Sequence, residues 1–109
     1  MRTRGNSGGG TPGGASDGGN PFTPNTTSFT EIELGFAPKR VILYLNYDNV
    51  TPLVIDFDVE NNHLYRSFSS TFRQQADTYI GLYYYVSGTK LYVKVPAASY
   101  AKPTYWVAA

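Results

Sequence analysis

Residues 29–109 of the chain predict a single small all-β domain, an antiparallel β-sandwich of about seven strands, and residues 1–28 predict a glycine-rich extended arm ahead of it. Three observations carry that expectation. The first 28 residues contain no Val, Ile or Leu yet hold eight of the eleven glycines. All ten tyrosines fall in the remainder. Within the remainder, apolar residues recur with period two in short runs bounded by Gly, Pro and Asn, which is the pattern of half-buried strands and turns.

The arm lacks the apolar surface needed to offset backbone ordering, which costs roughly 1 to 2 kcal/mol per residue. Order in Ser7-Gly8-Gly9-Gly10-Thr11-Pro12-Gly13-Gly14 would have to come from a partner. Arg2, Arg4, Gly8, Gly9, Gly10, Pro12 and Phe22 are the candidate assembly residues of that arm. The body is itself small: a chain of this size buries only about 60 to 65% of its unfolded surface. With no cysteine and one methionine, disulfides and thiolate-bound metals are excluded as supplements, which leaves oligomerisation. No cofactor is expected.

No segment reaches the roughly 18 apolar residues of a membrane span, and Met1-Arg2-Thr3-Arg4 leads into glycines instead of an apolar signal core. A soluble chain without membrane insertion is expected. Residues 29–109 balance seven acidic against seven basic side chains, so the body presents no electrostatic footprint for a polyanion and nucleic acid is not expected as its main partner. The sequons Asn25-Thr26-Thr27 and Asn49-Val50-Thr51 are matches of a kind common by chance.

Phe29-Thr30-Glu31-Ile32-Glu33-Leu34 opens the body as a strand with Ile32 and Leu34 on one side and the glutamates on the other. Gly35 to Lys39 breaks it, since Pro38 supplies no ladder donor. Arg40 to Tyr47 is apolar on both faces and predicts a strand in the middle of the sheet, covered on two sides. Leu53 to Val59 alternates again. Asn61-Asn62 then predicts a two-residue turn, because asparagine tolerates positive φ. That turn would set Val59 opposite Leu64 and Ile55 opposite Phe68 inside, Arg66 inward opposite Phe57, and Glu60 opposite His63, Asp58 opposite Tyr65 and Asp56 opposite Ser67 outside. Residues 69–77 show neither period and read as a loop with room for one helical turn.

A second hairpin runs from Tyr79 to Val86, through a Ser87-Gly88 turn, to Thr89–Val95. It would pair Ile80 with Val95, Leu82 with Val93 and Tyr84 with Leu91 inside, leaving Tyr83 opposite Tyr92, Tyr85 opposite Lys90 and Gly81 opposite Lys94 outside. Pro96 to Pro103 is another corner, and Thr104 to Ala109 a last strand.

The candidate chemistry is thin. His63 is the only histidine, and a hydrolase would need Ser67 or Ser69 within reach of it plus an oxyanion hole, for which no nucleophile-turn motif is present. Asp56, Asp58 and Glu60 form an acidic stripe, but residues two apart on a strand lie about 6.5 to 7 Å apart, too far for three carboxylates to converge on one cation. No catalytic set and no metal site are expected. The useful signal is the patch of Tyr83, Tyr85, Tyr92, Lys90 and Lys94, since tyrosine joins a broad apolar face to a polar tip at low entropic cost. Such a patch is either covered by the body's own second sheet or used for contact: with another subunit, with a glycan, or with single-stranded nucleic acid through the same rings and lysines.

The run Ile32-Glu33-Leu34-Gly35-Phe36-Ala37-Pro38-Lys39-Arg40-Val41-Ile42-Leu43 resembles the L-G-F-x-P-K-x-V corner that recurs in small β-sandwich modules of bacteriophage tail-fibre, tail-tip and baseplate proteins. The closing Tyr105-Trp106-Val107-Ala108 is similar to the aromatic strand with which such modules end. In this resemblance Gly35 and Pro38 set the corner, Phe36 plugs the core beneath it and Trp106 packs from the final strand. It implies a non-enzymatic virion protein assembled in a bacterial host cytoplasm, a homo-oligomer of three or more copies, with the arm docked into other virion proteins and the body exposed toward host surface glycan or protein. The chain has no shaft or coiled coil, which leaves a capsid decoration or head-fibre protein as alternatives, beside a lectin-like receptor-binding module.

Overall fold

The computed structural model describes residues 21–45, 53–69 and 72–109. Eight strands make up the described body: β1 (Thr30–Glu33), β2 (Arg40–Leu45), β3 (Leu53–Asp58), β4 (His63–Ser69), β5 (Phe72–Gln75), β6 (Tyr84–Ser87), β7 (Lys90–Val93) and β8 (Tyr105–Ala108). Single 3-10 turns at Asp77–Tyr79 and Ala98–Tyr100 are the only helical pieces among the described residues. The strands form two antiparallel sheets, one ordered β1-β7-β6 and the other β5-β4-β3-β2-β8. Inward residues of both join one buried cluster, an all-β arrangement compatible with a small sandwich. The arm residues Arg2, Arg4, Gly8, Gly9, Gly10 and Pro12, the end of the second predicted strand at 46–47 and the sequon at 49–51 lie outside the described residues.

Period two is obeyed on each inward face. Val41, Leu43 and Leu45 of β2, Leu53, Ile55 and Phe57 of β3, and Leu91 and Val93 of β7 are buried. Each such Leu, Ile or Phe contributes about 1.5 to 3 kcal/mol through the apolar area it removes from water. β2 is an interior strand, flanked by β3 and β8, but β3 is the central one. Nor is β2 covered on two sides: Ile42 and Tyr44 are only half-buried, on a face shared with Val107 and Tyr105 of β8.

Both hairpin registers differ from the expectation by two residues. Asp58 pairs with His63, Phe57 with Leu64, Asp56 with Tyr65 and Ile55 with Arg66, so the connection is the four-residue loop Val59-Glu60-Asn61-Asn62. Asp58 accounts for the longer loop, because its carboxylate accepts the Asn61 N–H at 3.1 Å and the Asn61 amide at 2.9 Å, while only Asn62 takes a positive φ, of 59°. In the second hairpin Tyr84 pairs with Val93, Tyr85 with Tyr92, Val86 with Leu91 and Ser87 with Lys90. The turn is Gly88-Thr89, with the positive φ of 64° at its first position, the signature of a II′ turn. Because each slip is even, residues paired within the strands keep their faces.

The stretch expected as a loop at 69–77 contains β5, which pairs Gln75 with Tyr65, Gln74 with Arg66 and Arg73 with Ser67. Arg73, Gln74 and Gln75 are all exposed, and a short polar strand at a sheet edge blunts unwanted pairing without showing apolar alternation. The predicted strand at 79–83 is instead a turn: Tyr83 N–H donates to the Tyr79 carbonyl at 2.9 Å, and Gly81, at φ 84°, donates to the Tyr84 carbonyl at 2.8 Å. Leu82, expected inside, is therefore half exposed.

Residues 22–25 belong to the body and not to the arm. Phe22 and Thr104 exchange two backbone hydrogen bonds at 3.2 and 2.7 Å, and Val95 N–H donates to the Asn25 carbonyl at 3.0 Å. Phe22 packs against the core and Pro24 is wholly buried.

Candidate functional site

The outward face of the three-stranded sheet carries most of the patch seen in the sequence. Tyr85 and Tyr92, paired across β6 and β7, stack with ring centroids 4.5 Å apart and planes 10° from parallel. Phe29, just ahead of β1, meets Tyr85 edge-on at 5.0 Å, and the Lys94 ammonium lies 4.7 Å from the Phe29 ring centre. β1 pairs with β7 so that Glu31 sits opposite Tyr92. The Tyr92 hydroxyl donates to Glu31 Oε1 at 3.2 Å, and Lys90 Nζ is 3.2 Å from Glu31 Oε2.

These contacts set the electrostatics. The hydrogen bond to Glu31, reinforced by its charge, raises the Lys90 pKa. Partial desolvation and the same carboxylate raise that of Tyr92. Both groups thus hold their protons at neutral pH, and the rim of the aromatic pair presents one cation beside one anion. Chemically the face can stack, hydrogen-bond and pair with charges of either sign.

Tyr83 does not join it. Its ring meets Tyr79 edge-on at 5.1 Å and tilts against Tyr84 at 6.2 Å, part of an aromatic group along the core margin. The turn over residues 79–83 withdraws Tyr83 from the strand that would have placed it beside Tyr92. Phe29 and Glu31 are the members that sequence reasoning missed. Their alternation along the first strand was legible, but their place beside Tyr85 and Tyr92 depends on the β1–β7 pairing, which joins segments 61 residues apart.

The other candidates disperse. His63 Nδ1 lies 3.0 Å from Asp77 Oδ2 and not against Glu60, whose carboxylate is 3.9 Å from Lys39. Asp77 also accepts the Leu64 N–H at 2.9 Å and the Gln75 amide at 2.8 Å, and the Leu64 bond is the chief reason its pKa is lowered. Ser67 is four residues along the same strand from His63, about 13 Å by strand rise, beyond nucleophile–base reach. Asp56 is claimed by Arg40 at 2.9 and 2.7 Å and by Arg73 at 3.5 Å. Asp58 is committed to its own turn. The acidic stripe is thus divided among separate partners.

At the corner, Glu33 accepts the Gly35 N–H at 2.8 Å, which lowers the Glu33 pKa, and Gly35 adopts φ 83°. Phe36, Pro38 and Trp106 are buried. Lys39 and Arg40 both donate their N–H to the Ala109 carbonyl, at 2.8 and 3.1 Å, and Leu43 pairs with Trp106. No family model, no curated protein and no solved structure matches the chain.

Proposed function

We propose that the chain is a non-enzymatic structural component of a bacteriophage virion, of the tail, fibre or baseplate, in which a small β-sandwich is exposed for subunit or host contact and the glycine-rich arm docks into the particle. One observation carries the reading. The two segments that resemble phage modules, the Leu34–Lys39 corner and the closing Tyr105–Ala108 strand, lie more than sixty residues apart in the chain and form one hydrogen-bonded unit through Lys39, Arg40 and Ala109. The glycine-rich composition of residues 1–20 supports the role of the arm, since such a segment orders only against a partner.

A phage genome encoding the chain without residues 2–16 provides the test. Particles from the unaltered genome contain the chain by mass spectrometry, and particles from the altered genome lack it although the truncated chain is made and folds. Equal incorporation of both chains refutes the docking role, and absence of the unaltered chain from particles refutes the virion reading. The mass of the purified protein in solution separates a body that assembles through its own copies from one that assembles only on the particle.

A lectin-like module for host surface glycan is the second reading, favoured by the half-buried, stacked Tyr85–Tyr92 pair with Glu31 and Lys90 at its rim. A glycan array compares the unaltered chain with a Tyr85→Ala, Tyr92→Ala double variant. A silent array for the unaltered chain rejects this reading. A capsid decoration or head-fibre protein would share the docking architecture, and antibody labelling of particles locates the chain on head or tail.

A further inference from the structure

Tyr85 and Tyr92 sit directly opposite each other on β6 and β7, stacked with ring centroids 4.5 Å apart and planes 10° from parallel. Both side chains are half-buried, so solvent reaches part of each. When two phenols are joined carbon to carbon beside their oxygens, the ring centres lie one ring radius to either side of the new bond. That spacing is close to the one the stack already has, so joining the rings turns them and leaves the strands in register. The Tyr92 hydroxyl also faces a base: it donates to Glu31 Oε1 at 3.2 Å, while Lys90 holds the other carboxylate oxygen at 3.2 Å. A carboxylate so placed is within reach of proton transfer.

We propose that Tyr85 and Tyr92 form an oxidative modification site, at which the chain closes a dityrosine bridge across the β6–β7 hairpin with Glu31 as proton acceptor. The oxidant is a one-electron metal oxidant, such as a high-valent peroxidase haem or ruthenium(III). Tyr92 gives up one electron, and its hydroxyl proton passes to Glu31, leaving a phenoxyl radical. Tyr85 gives up an electron to a second equivalent of oxidant and its proton to water. The two radicals pair to make one carbon–carbon bond between ring positions beside the oxygens. The hydrogens on those two carbons then move to the oxygens and restore both phenols. Two electrons and two protons leave in all, and each metal equivalent is reduced by one electron. Competing rings lack one part or another of this arrangement. Tyr79 and Tyr83 meet edge-on at 5.1 Å, and the Tyr79 hydroxyl accepts a bond from the Arg66 guanidinium at 3.1 Å, a cation that opposes removal of an electron. Tyr84 is buried, with no hydrogen-bond acceptor for its proton among the described residues. The site is independent of both the virion and the glycan readings.

Photolysis of tris(bipyridine)ruthenium(II) with persulfate, which generates ruthenium(III) and ends as sulfate, tests it on the full chain. Peptide mass spectrometry is expected to find Tyr85 joined to Tyr92 in a monomer lighter than the parent by two hydrogens. The yield should be unchanged by about tenfold dilution, because both rings belong to one molecule. Tyr85→Phe and Tyr92→Phe keep the rings and should each abolish the bridge. Glu31→Gln removes the proton acceptor and should slow bridging about tenfold or more. Glu33→Gln changes the charge of the same strand, keeps an oxygen for the Gly35 N–H and should leave the rate unchanged. Circular dichroism before photolysis reports that each variant is folded. A chain without the Tyr85–Tyr92 bridge, dityrosine only in cross-linked dimers, oxidation confined to Trp106, or equal rates in Glu31→Gln and the parent would each overturn the proposal.

Discussion

Removing a hydroxyl from the core should make this protein more stable. Tyr84 on β6 is wholly buried, and its Oη has no hydrogen-bond partner among the described residues. The rings around it, Tyr79 at 6.5 Å and Tyr83 at 6.2 Å between centroids, supply packing and not a bond to the oxygen. An unsatisfied buried hydroxyl costs about 1 to 3 kcal/mol in desolvation. Tyr84→Phe keeps the ring and its contacts, so the gain should fall in that range and raise Tm by about 4 °C or more in a body of this size. Burial also pushes the Tyr84 hydroxyl well above its ordinary range. Its folded pKa therefore lies above its unfolded one: the contribution is complete below about pH 10 and declines as the unfolded chain ionises, by up to about 1.4 kcal/mol per pH unit. Urea unfolding followed by circular dichroism at pH 7 and across pH 9 to 11 measures both effects. A Y84F variant less stable than the parent at pH 7 would show that the hydroxyl is bonded, and one equally steep in its alkaline decline would show that burial does not hold the proton; either outcome refutes the reasoning.

Gly35→Ala isolates torsional strain, because a Cβ there meets nothing within 4 Å among the described residues while φ is 83°. The left-handed penalty of about 1 to 2 kcal/mol, less the unfolded-state entropy that alanine removes, gives a net loss of about 1 kcal/mol by urea unfolding. Asp77→Asn should flatten the acid limb of the stability curve. The Leu64 N–H, then His63 and Gln75, hold the carboxyl below its ordinary value, so its contribution is present above about pH 4 and lost as pH falls through the lower folded value. An unchanged acid transition in D77N would contradict that. Trp106→Ala should cost about 3 to 5 kcal/mol because that ring is 8% exposed, whereas Val107→Ala, at 37%, should cost well under 1 kcal/mol.

The faces of the strands were legible and the turns were not. Ile32, Leu34, Leu43, Ile55 and Val93 sit inward as alternation predicts, because burial of apolar area is the strongest force driving the fold and strand geometry gives it a fixed period. Turn position rests on single side chains. Asp58 gripping Asn61 lengthens one loop, and Gly88 taking the first turn position in place of the second shifts the other. Each choice rests on one side-chain hydrogen bond or one φ angle, too local to read from residue type. β5 was hidden because an edge strand of Arg and Gln carries no apolar signal. The aromatic face was half visible: Tyr85, Tyr92, Lys90 and Lys94 share one strand-to-strand surface, but Glu31 and Phe29 reach it through a pairing between distant segments. Tyr83 left it because Gly81 supports a turn where alternation suggested a strand.

Trp106 is the chain's single tryptophan, and it lies on β8, the end strand of the described five-stranded sheet, with its ring in the core. The protein therefore carries an optical probe on the strand that ends the five-stranded sheet. Its emission is sensitive to solvent at that strand. Quenching by acrylamide, read on unlabelled material, would report how far solvent reaches that strand.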